Sequence, residues 1–162
     1  MCRSSGRGED DLILMNKKKS IFSARKLTAG VGEGEALVTE NPLTFWGGMD
    51  PATGTIIDAQ HELCGKKVTG KVLVFPHGAG SSSGCGVIME MVRLGTHPAA
   101  MVNVEKDPVL ALGPILAQEL YGRSLPIVTV SKTVFDYFRK GDTLKVDANK
   151  GKIVCVRKGP DK

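Results

Sequence analysis

Long apolar runs, paired cysteines and aromatic residues are all scarce in this chain, and each scarcity removes a class of function. No segment approaches the roughly 20 consecutive apolar residues that span a bilayer. The opening residues, Met1 to Asp11, are polar where a secretory signal carries an apolar centre. A soluble, cytoplasmic protein without a membrane partner is expected. The four cysteines, Cys2, Cys64, Cys85 and Cys155, are scattered without a Cys-x-x-Cys pair, and no histidine stands at zinc-ligand spacing. Neither a disulfide framework nor a metal site within this chain is expected, and the thiols read as reduced. Five Phe, two Tyr and one Trp are too few to interleave with basic residues as a base-stacking surface does. The net charge of +5 is concentrated near the ends (Lys17, Lys18, Lys19; Lys150, Lys152, Arg157, Lys158), as in solvated termini, so nucleic acid is not an expected partner.

What remains is the composition of one globular domain, with 162 residues, 41% of them hydrophobic and 24% charged. Residues 1–20 mix Ser, Gly, Arg and Lys without a period and read as a flexible extension. The folded domain is expected over 21–158, with a tail at 159–162. Glu35 to Thr39 reads as a strand, followed by a glycine-rich connection, Phe45-Trp46-Gly47-Gly48-Met49-Asp50-Pro51, with turn chemistry at Asp50-Pro51 and Gly54. Gly70 to Phe75 is the clearest buried strand, four apolar residues in succession stopped by Pro76. Apolar residues at Val87, Ile88, Met91, Val92 and Leu94 suit an amphipathic helix closed by Gly95. Pro98 to Val104 then reads as a strand, Pro108 to Tyr121 as a helix closed by Gly122, and Leu125 to Val130 as a third strand. This alternation predicts an α/β fold with parallel pairing through crossovers. Phe135 to Arg139 reads as a short helix, and Thr143 to Asp147 with Lys152 to Val156 as a hairpin.

The strongest local signal is the loop Gly78-Ala79-Gly80-Ser81-Ser82-Ser83-Gly84, between the best strand and the start of a helix. Glycines there let the backbone approach a ligand, and free amides with the positive end of the helix dipole favour a carboxylate or phosphate. The Gly-Lys-Ser/Thr of a nucleotide-binding loop is missing, and so is the Gly-x-Ser-x-Gly of a nucleophile elbow. Two readings stay open at this point, a ligand site and a row of serines capping a helix. Phe45 and Trp46 read as a buried aromatic pair beside the Asp50 carboxylate, either walling a pocket or anchoring a tight turn. Of His61, His77 and His97, only His77 falls in the glycine-rich loop. Cys85 reads as a small buried hydrophobe or a reactive thiol.

Taken in order, Gly34 to Thr39, Phe45 to Gly54, Gly70 to Pro76, Gly78-Ala79-Gly80-Ser81, Pro98-Ala99-Ala100 and Ala111-Leu112-Gly113 resemble the small subunit or swivelling domain of the aconitase X family. The resemblance covers about Ala29 to Val130. It implies a swivelling β/β/α domain with a central, largely parallel sheet and flanking β elements. It implies a heteromeric hydro-lyase, inactive as this chain alone, whose large subunit carries an iron or iron–sulfur centre and most contacts to a hydroxy-acid substrate. No cofactor is implied in this chain. The serine after the Gly-x-Gly loop, Ser81, is by resemblance the catalytic proton acceptor, with Gly78, Gly80, Ser82, Gly47, Gly48 and Asp50 as substrate-binding candidates. Ser81 would need amides around Gly80 and Ser82 to stabilise its alkoxide. The phosphomevalonate dehydratase branch resembles this chain less at the loop, where its lysine is replaced by Ala79. The stretches Gly84 to Ile88 and Glu119 to Gly122 resemble the cis-3-hydroxy-L-proline dehydratase branch, the expected activity. Phosphomevalonate dehydration and a non-catalytic module binding an anion or a partner are the alternatives.

Overall fold

Punctuation and apolar period fix most of the elements in the computed structural model, which describes residues 12–16 and 18–159. In chain order these are β1 (Leu12–Asn16), β2 (Lys19–Ser23), β3 (Arg25–Thr28), β4 (Val31–Val38), β5 (Leu43–Thr44), β6 (Met49–Asp50), β7 (Thr55–Ile56), β8 (Val72–Val74), β9 (Gly78–Ala79) and α1 (Gly84–Leu94). They continue as β10 (Ala100–Asn103), α2 (Pro108–Tyr121), β11 (Ile127–Thr129), α3 (Lys132–Tyr137), β12 (Thr143–Asp147) and β13 (Lys152–Val156). Helix α2 starts where Asp107 caps it and Pro108 presets its first turn, and it ends at Gly122 in the left-handed conformation. Gly95 closes α1 in the same way, its amide reaching the carbonyls of Met91 and Val92.

The main sheet runs β1-β2-β13-β12-β4-β8-β10-β11-β3. Its centre, β4-β8-β10-β11, is parallel, and antiparallel strands flank it on both sides. The central strands are buried on both faces, which is why β8 reads as an unbroken apolar run. Alternation then sorts their side chains into two layers. Leu37, Leu73, Met101 and Ile127 meet Val87, Ile88, Met91, Val92, Leu110 and Ala117 of the two long helices. Val72, Val74, Val102 and Val128 face the other way, onto Phe135 of α3, Phe22, and Leu144, Val146 and Ile153 of the β12–β13 hairpin. The α/β class expected from the sequence, with a parallel centre and flanking β elements, is the observed one. Among the described residues no helix is long and apolar enough to cross a membrane.

Helices α1 and α2 close on each other through Gly113. A Cβ there would lie 2.7 Å from the Cys85 carbonyl oxygen and 3.0 Å from Ile88 Cβ, so only glycine permits this approach.

The start of the chain departs from expectation. Leu12–Asn16 and Lys19–Ser23, placed at least in part in a flexible extension, pair antiparallel with Leu14 opposite Ile21 and Asn16 opposite Lys19. Strand β2 continues onto β13, with Phe22 opposite Ile153. Polar composition averaged over residues 1–20 hides the apolar run Leu12 to Met15, and the partner that orders β2 is over a hundred residues away. The rest of that expected extension, residues 1–11 and 17, lies outside the described residues, as do 160–162 of the expected tail.

Candidate functional site

After β8 the chain passes Phe75 and Pro76 and lays β9 parallel to β5, with Gly78 opposite Leu43 and Ala79 opposite Thr44. Gly80 then turns with φ +82°, and a Cβ on it would stand 2.8 Å from Thr44 Cγ2. The turn needs glycine on both counts. Ser81, Ser82 and Ser83 follow, all exposed, and α1 begins at Gly84, packed so that a Cβ would come within 3.3 Å of Phe45 Cβ. The loop therefore stands beyond the carboxyl end of a central parallel strand, where open α/β sheets bind ligands.

A depression of about 280 Å³ opens here. It is lined by the loop residues Gly78, Ala79, Gly80, Ser81 and Ser82, by Gly84 and the adjacent Phe45, and by Asp107, Val109 and Leu110 at the start of α2. Ser81 Oγ accepts a hydrogen bond from the Ser83 amide at 3.2 Å. Ser83 occupies the N-cap of α1, yet its own hydroxyl makes no capping bond. The amides of Ser81 and Ser82 donate to nothing among the described residues, and they stand at the positive end of an 11-residue helix. The amide that reaches Ser81 Oγ is thus that of Ser83, not those around Gly80 and Ser82. An amide donating to a hydroxyl oxygen favours its deprotonated form.

The facing carboxylate is fully engaged. Asp107 Oδ1 accepts from the amides of Val109 at 3.1 Å and Leu110 at 3.2 Å, and Oδ2 accepts from the Gly78 amide at 3.2 Å. No lysine or arginine lines the depression. The arrangement can accept a proton at Ser81 and hold a small anion on main-chain amides.

Of the candidate residues, Gly78, Gly80, Ser81 and Ser82 come together here, whereas Gly47, Gly48 and Asp50 do not. Gly47 turns at φ +77°, and Gly48 packs so tightly on the Thr44 carbonyl that a Cβ would lie 2.2 Å from its oxygen. Asp50 is spent on its own turn, Oδ1 accepting from the Ala52 amide at 3.0 Å and Oδ2 from the Thr53 hydroxyl at 2.8 Å. That segment reaches the depression through Phe45, which is buried against Phe75 with ring centroids 6.0 Å apart. The expected buried aromatic pair is half correct, since Trp46 is 60% exposed. The next residue in a tight turn points away from the core side that Phe45 fills. His77 Nδ1 lies 2.8 Å from the Gly78 carbonyl oxygen, and its ring does not line the depression. Among the described residues no three His, Cys, Asp or Glu side chains converge to hold a metal ion. Asp107 was not singled out as a site residue. An aspartate just before a helix-opening proline is a legible cap signal, but its second contact, 29 residues back along the chain, has no local signature.

Three comparisons with known proteins bear on this geometry. The sequence model described as "Aconitase X swivel domain" matches residues 21–155. The chain is 36% identical over 139 residues to the phosphomevalonate dehydratase small subunit of Methanosarcina mazei, covering 85% of this chain and 92% of that one. It is 42% identical over 116 residues to the cis-3-hydroxy-L-proline dehydratase of Pseudomonas aeruginosa, covering 72% of this chain but 20% of that longer protein. The crystal structure of Thermococcus kodakaraensis aconitase X in its holo-form superposes with a TM-score of 0.76 at 32% identity, covering 85% of this chain and 98% of that one.

Proposed function

Since the chain belongs to the aconitase X swivel domain family, we propose that it works as the small subunit of a heteromeric dehydratase in which Ser81 accepts the substrate proton. The observation that carries this reading is the Ser81 hydroxyl itself, on the wall of the depression with the Ser83 amide donating to its oxygen. An unperturbed serine is a poor base, and a donor already aimed at Oγ stabilises the alkoxide form that takes the proton. The unpartnered amides of Ser81 and Ser82 at the start of α1 suit the carboxylate of a hydroxy acid. In the dehydration, Ser81 as its alkoxide takes a C–H proton next to that carboxylate and becomes the neutral hydroxyl, the electron pair of the broken C–H bond forms the new double bond, and the C–O bond breaks to release hydroxide. The family resemblance assigns an iron or iron–sulfur centre to the large subunit, and nothing in this chain is proposed to bind it.

For the substrate we favour cis-3-hydroxy-L-proline. A phosphate dianion in this depression would meet the Asp107 carboxylate and no basic side chain, with Ala79 standing where a lysine would suit it. A monocarboxylate that also carries an ammonium group is compatible with that environment. Phosphomevalonate is the second reading, favoured by the match to almost the full length of a separate small subunit named for that activity.

The large subunit is the proposed occupant of the outer face of α2. Val109, Leu112, Ile115, Leu116, Leu120 and Tyr121 are exposed there, an apolar face of the kind that marks interfaces. Val109 belongs to both this face and the depression, so a protein that completes the depression must cover the helix beside it.

The deciding experiment reconstitutes the chain with the large subunit and measures dehydration of both substrates. Ser81→Ala is expected to lose on the order of 10²–10⁴ in rate, as loss of a general base does, with folding and assembly intact. Ser82→Ala and Ser83→Ala are expected to be milder. If Ser81→Ala lowers the melting temperature but keeps near-normal turnover on both substrates, the serine only shapes the turn. If the wild-type chain leaves the large subunit's rate unchanged, it is a binding module.

A further inference from the structure

Asp107 joins two elements that the rest of the loop leaves separate. One carboxylate oxygen caps α2 through the Val109 and Leu110 amides, and the other takes the Gly78 amide. Capping needs only one acceptor, which Ser, Thr or Asn provides as well. The second oxygen is the feature particular to a carboxylate here, and it acts three residues before Ser81. Position 78 is built for this approach, since a Cβ there would lie 2.8 Å from Asp107 Oδ2. Strand β9 itself is otherwise held by a two-residue ladder with β5, and the chain just before it by the Pro76 carbonyl, which accepts from the Val104 and Glu105 amides at 3.0 and 3.2 Å. Among the described residues the Asp107 bond is therefore the one hydrogen bond that ties Gly78 to α2.

We propose that Asp107 is a positioning residue whose carboxylate clamps Gly78 to the start of α2 and so fixes where Ser81 stands. The proposal rests on the reading of Ser81 as proton acceptor. Asp107 and Ser81 line the same depression, so releasing the clamp frees the loop that carries Ser81 to shift relative to the start of α2. A displacement of about 1 Å is enough to lower a rate on the order of 10²-fold.

The test compares Asp107→Ser, which keeps a cap and loses the clamp, with Asp107→Ala, which loses both, and with Ser81→Ala. All three are measured in the complex reconstituted with the large subunit, and amide exchange is followed on the full chain. Asp107→Ser is expected to melt above Asp107→Ala, because serine keeps the cap that alanine loses. Its Gly78 amide should exchange faster, and kcat should fall roughly 10- to 100-fold with KM nearly unchanged. Asp107→Ala should show the same kcat and a lower melting temperature. Should Asp107→Ser fail to assemble, Asp107→Asn carries the same test, since its amide has one acceptor for two acceptor positions. Wild-type kcat in Asp107→Ser beside an inert Ser81→Ala overturns the clamp alone, as does an unchanged Gly78 exchange rate. An active Ser81→Ala overturns the reading beneath it, and with it the catalytic part of this proposal.

Discussion

Replacing Gly80 by alanine tests whether backbone geometry at the loop places Ser81. Gly80 sits at φ +82°, and holding an L-residue in the left-handed region costs about 1–2 kcal/mol. The new Cβ would also stand 2.8 Å from Thr44 Cγ2, well inside a normal carbon contact, and overpacking of that kind costs about 1–3 kcal/mol. Together these amount to about 2–5 kcal/mol, or roughly 4–20 °C in melting temperature for a chain of this size. Because Gly80 and Ser81 are exposed, part of that strain can relax by moving the loop. Whatever stability is recovered in this way appears as displacement of Ser81. Gly80→Ala should therefore lose melting temperature, turnover in the reconstituted complex, or both, measured by calorimetry and by rate. Adding Thr44→Ser removes the obstructing methyl and should restore the overpacking share but not the φ share. A Gly80→Ala variant with native melting temperature and native turnover refutes the reasoning. A double variant no better than the single one refutes the role assigned to Thr44.

Burial, with the neighbouring Asp142 adding to it, pushes the Cys155 thiol up from 9.0 to about 12, so the fold prefers the neutral thiol and binds its proton more tightly than the unfolded chain does. Stability should hold below about pH 9 and fall between about 9 and 12, and Cys155→Ala should flatten that fall in urea titrations; an identical decline in the variant counts against it. In the folded chain at neutral pH, a thiol reagent should modify exposed Cys64 and spare Cys155, and equal rates would contradict the burial. Leu112→Glu with Leu116→Glu should weaken binding of the large subunit by tenfold or more while leaving the melting temperature of the chain within about 2 °C; unchanged affinity places the interface elsewhere. Trp46 is exposed and follows Phe45 of the depression wall, so its fluorescence should shift when the complex forms, and an unchanged spectrum in a proven complex removes it from the interface.

Much of the fold was legible where local chemistry and tertiary structure agree. Pro108 to Tyr121 carries its own start, Asp107 and Pro108, and its own stop, Gly122, and the helix occupies those bounds. The hairpin of Thr143 to Asp147 and Lys152 to Val156 is equally plain, because a clear alternation flanks a turn of Ala148 to Gly151. Strands β5, β6, β7 and β9 were not legible, since two residues carry no period. β1 and β2 were missed because their order comes from β13, far along the chain. At the site, the Gly78 to Ser82 loop announced itself through glycine and serine content. The Asp107 clamp and the Phe45 wall depend on contacts across 29 residues or more, which no local pattern encodes.

In the serine loop two readings that share a sequence signal also share one atom, Ser81 Oγ. A capping serine accepts from the amide two or three residues on, and Ser81 does this for Ser83, while Ser83, already in helical backbone at φ −65° and ψ −9°, caps nothing. The same hydroxyl lies on the wall of a depression, so a cap and a base would use one oxygen and only their assays separate them. The same depression offers amides for an anion and an oxygen for a proton, while its one carboxylate is consumed by three backbone amides. No lining side chain carries positive charge to receive a departing hydroxide. If Ser81 takes the proton, the two halves of a dehydration are divided between chains, proton acceptance here and hydroxide departure on the large subunit. Such a division requires that the open side of the depression be closed by the partner. The apolar outer face of α2, running away from Val109 at its rim, is the surface in the right position to seat that partner.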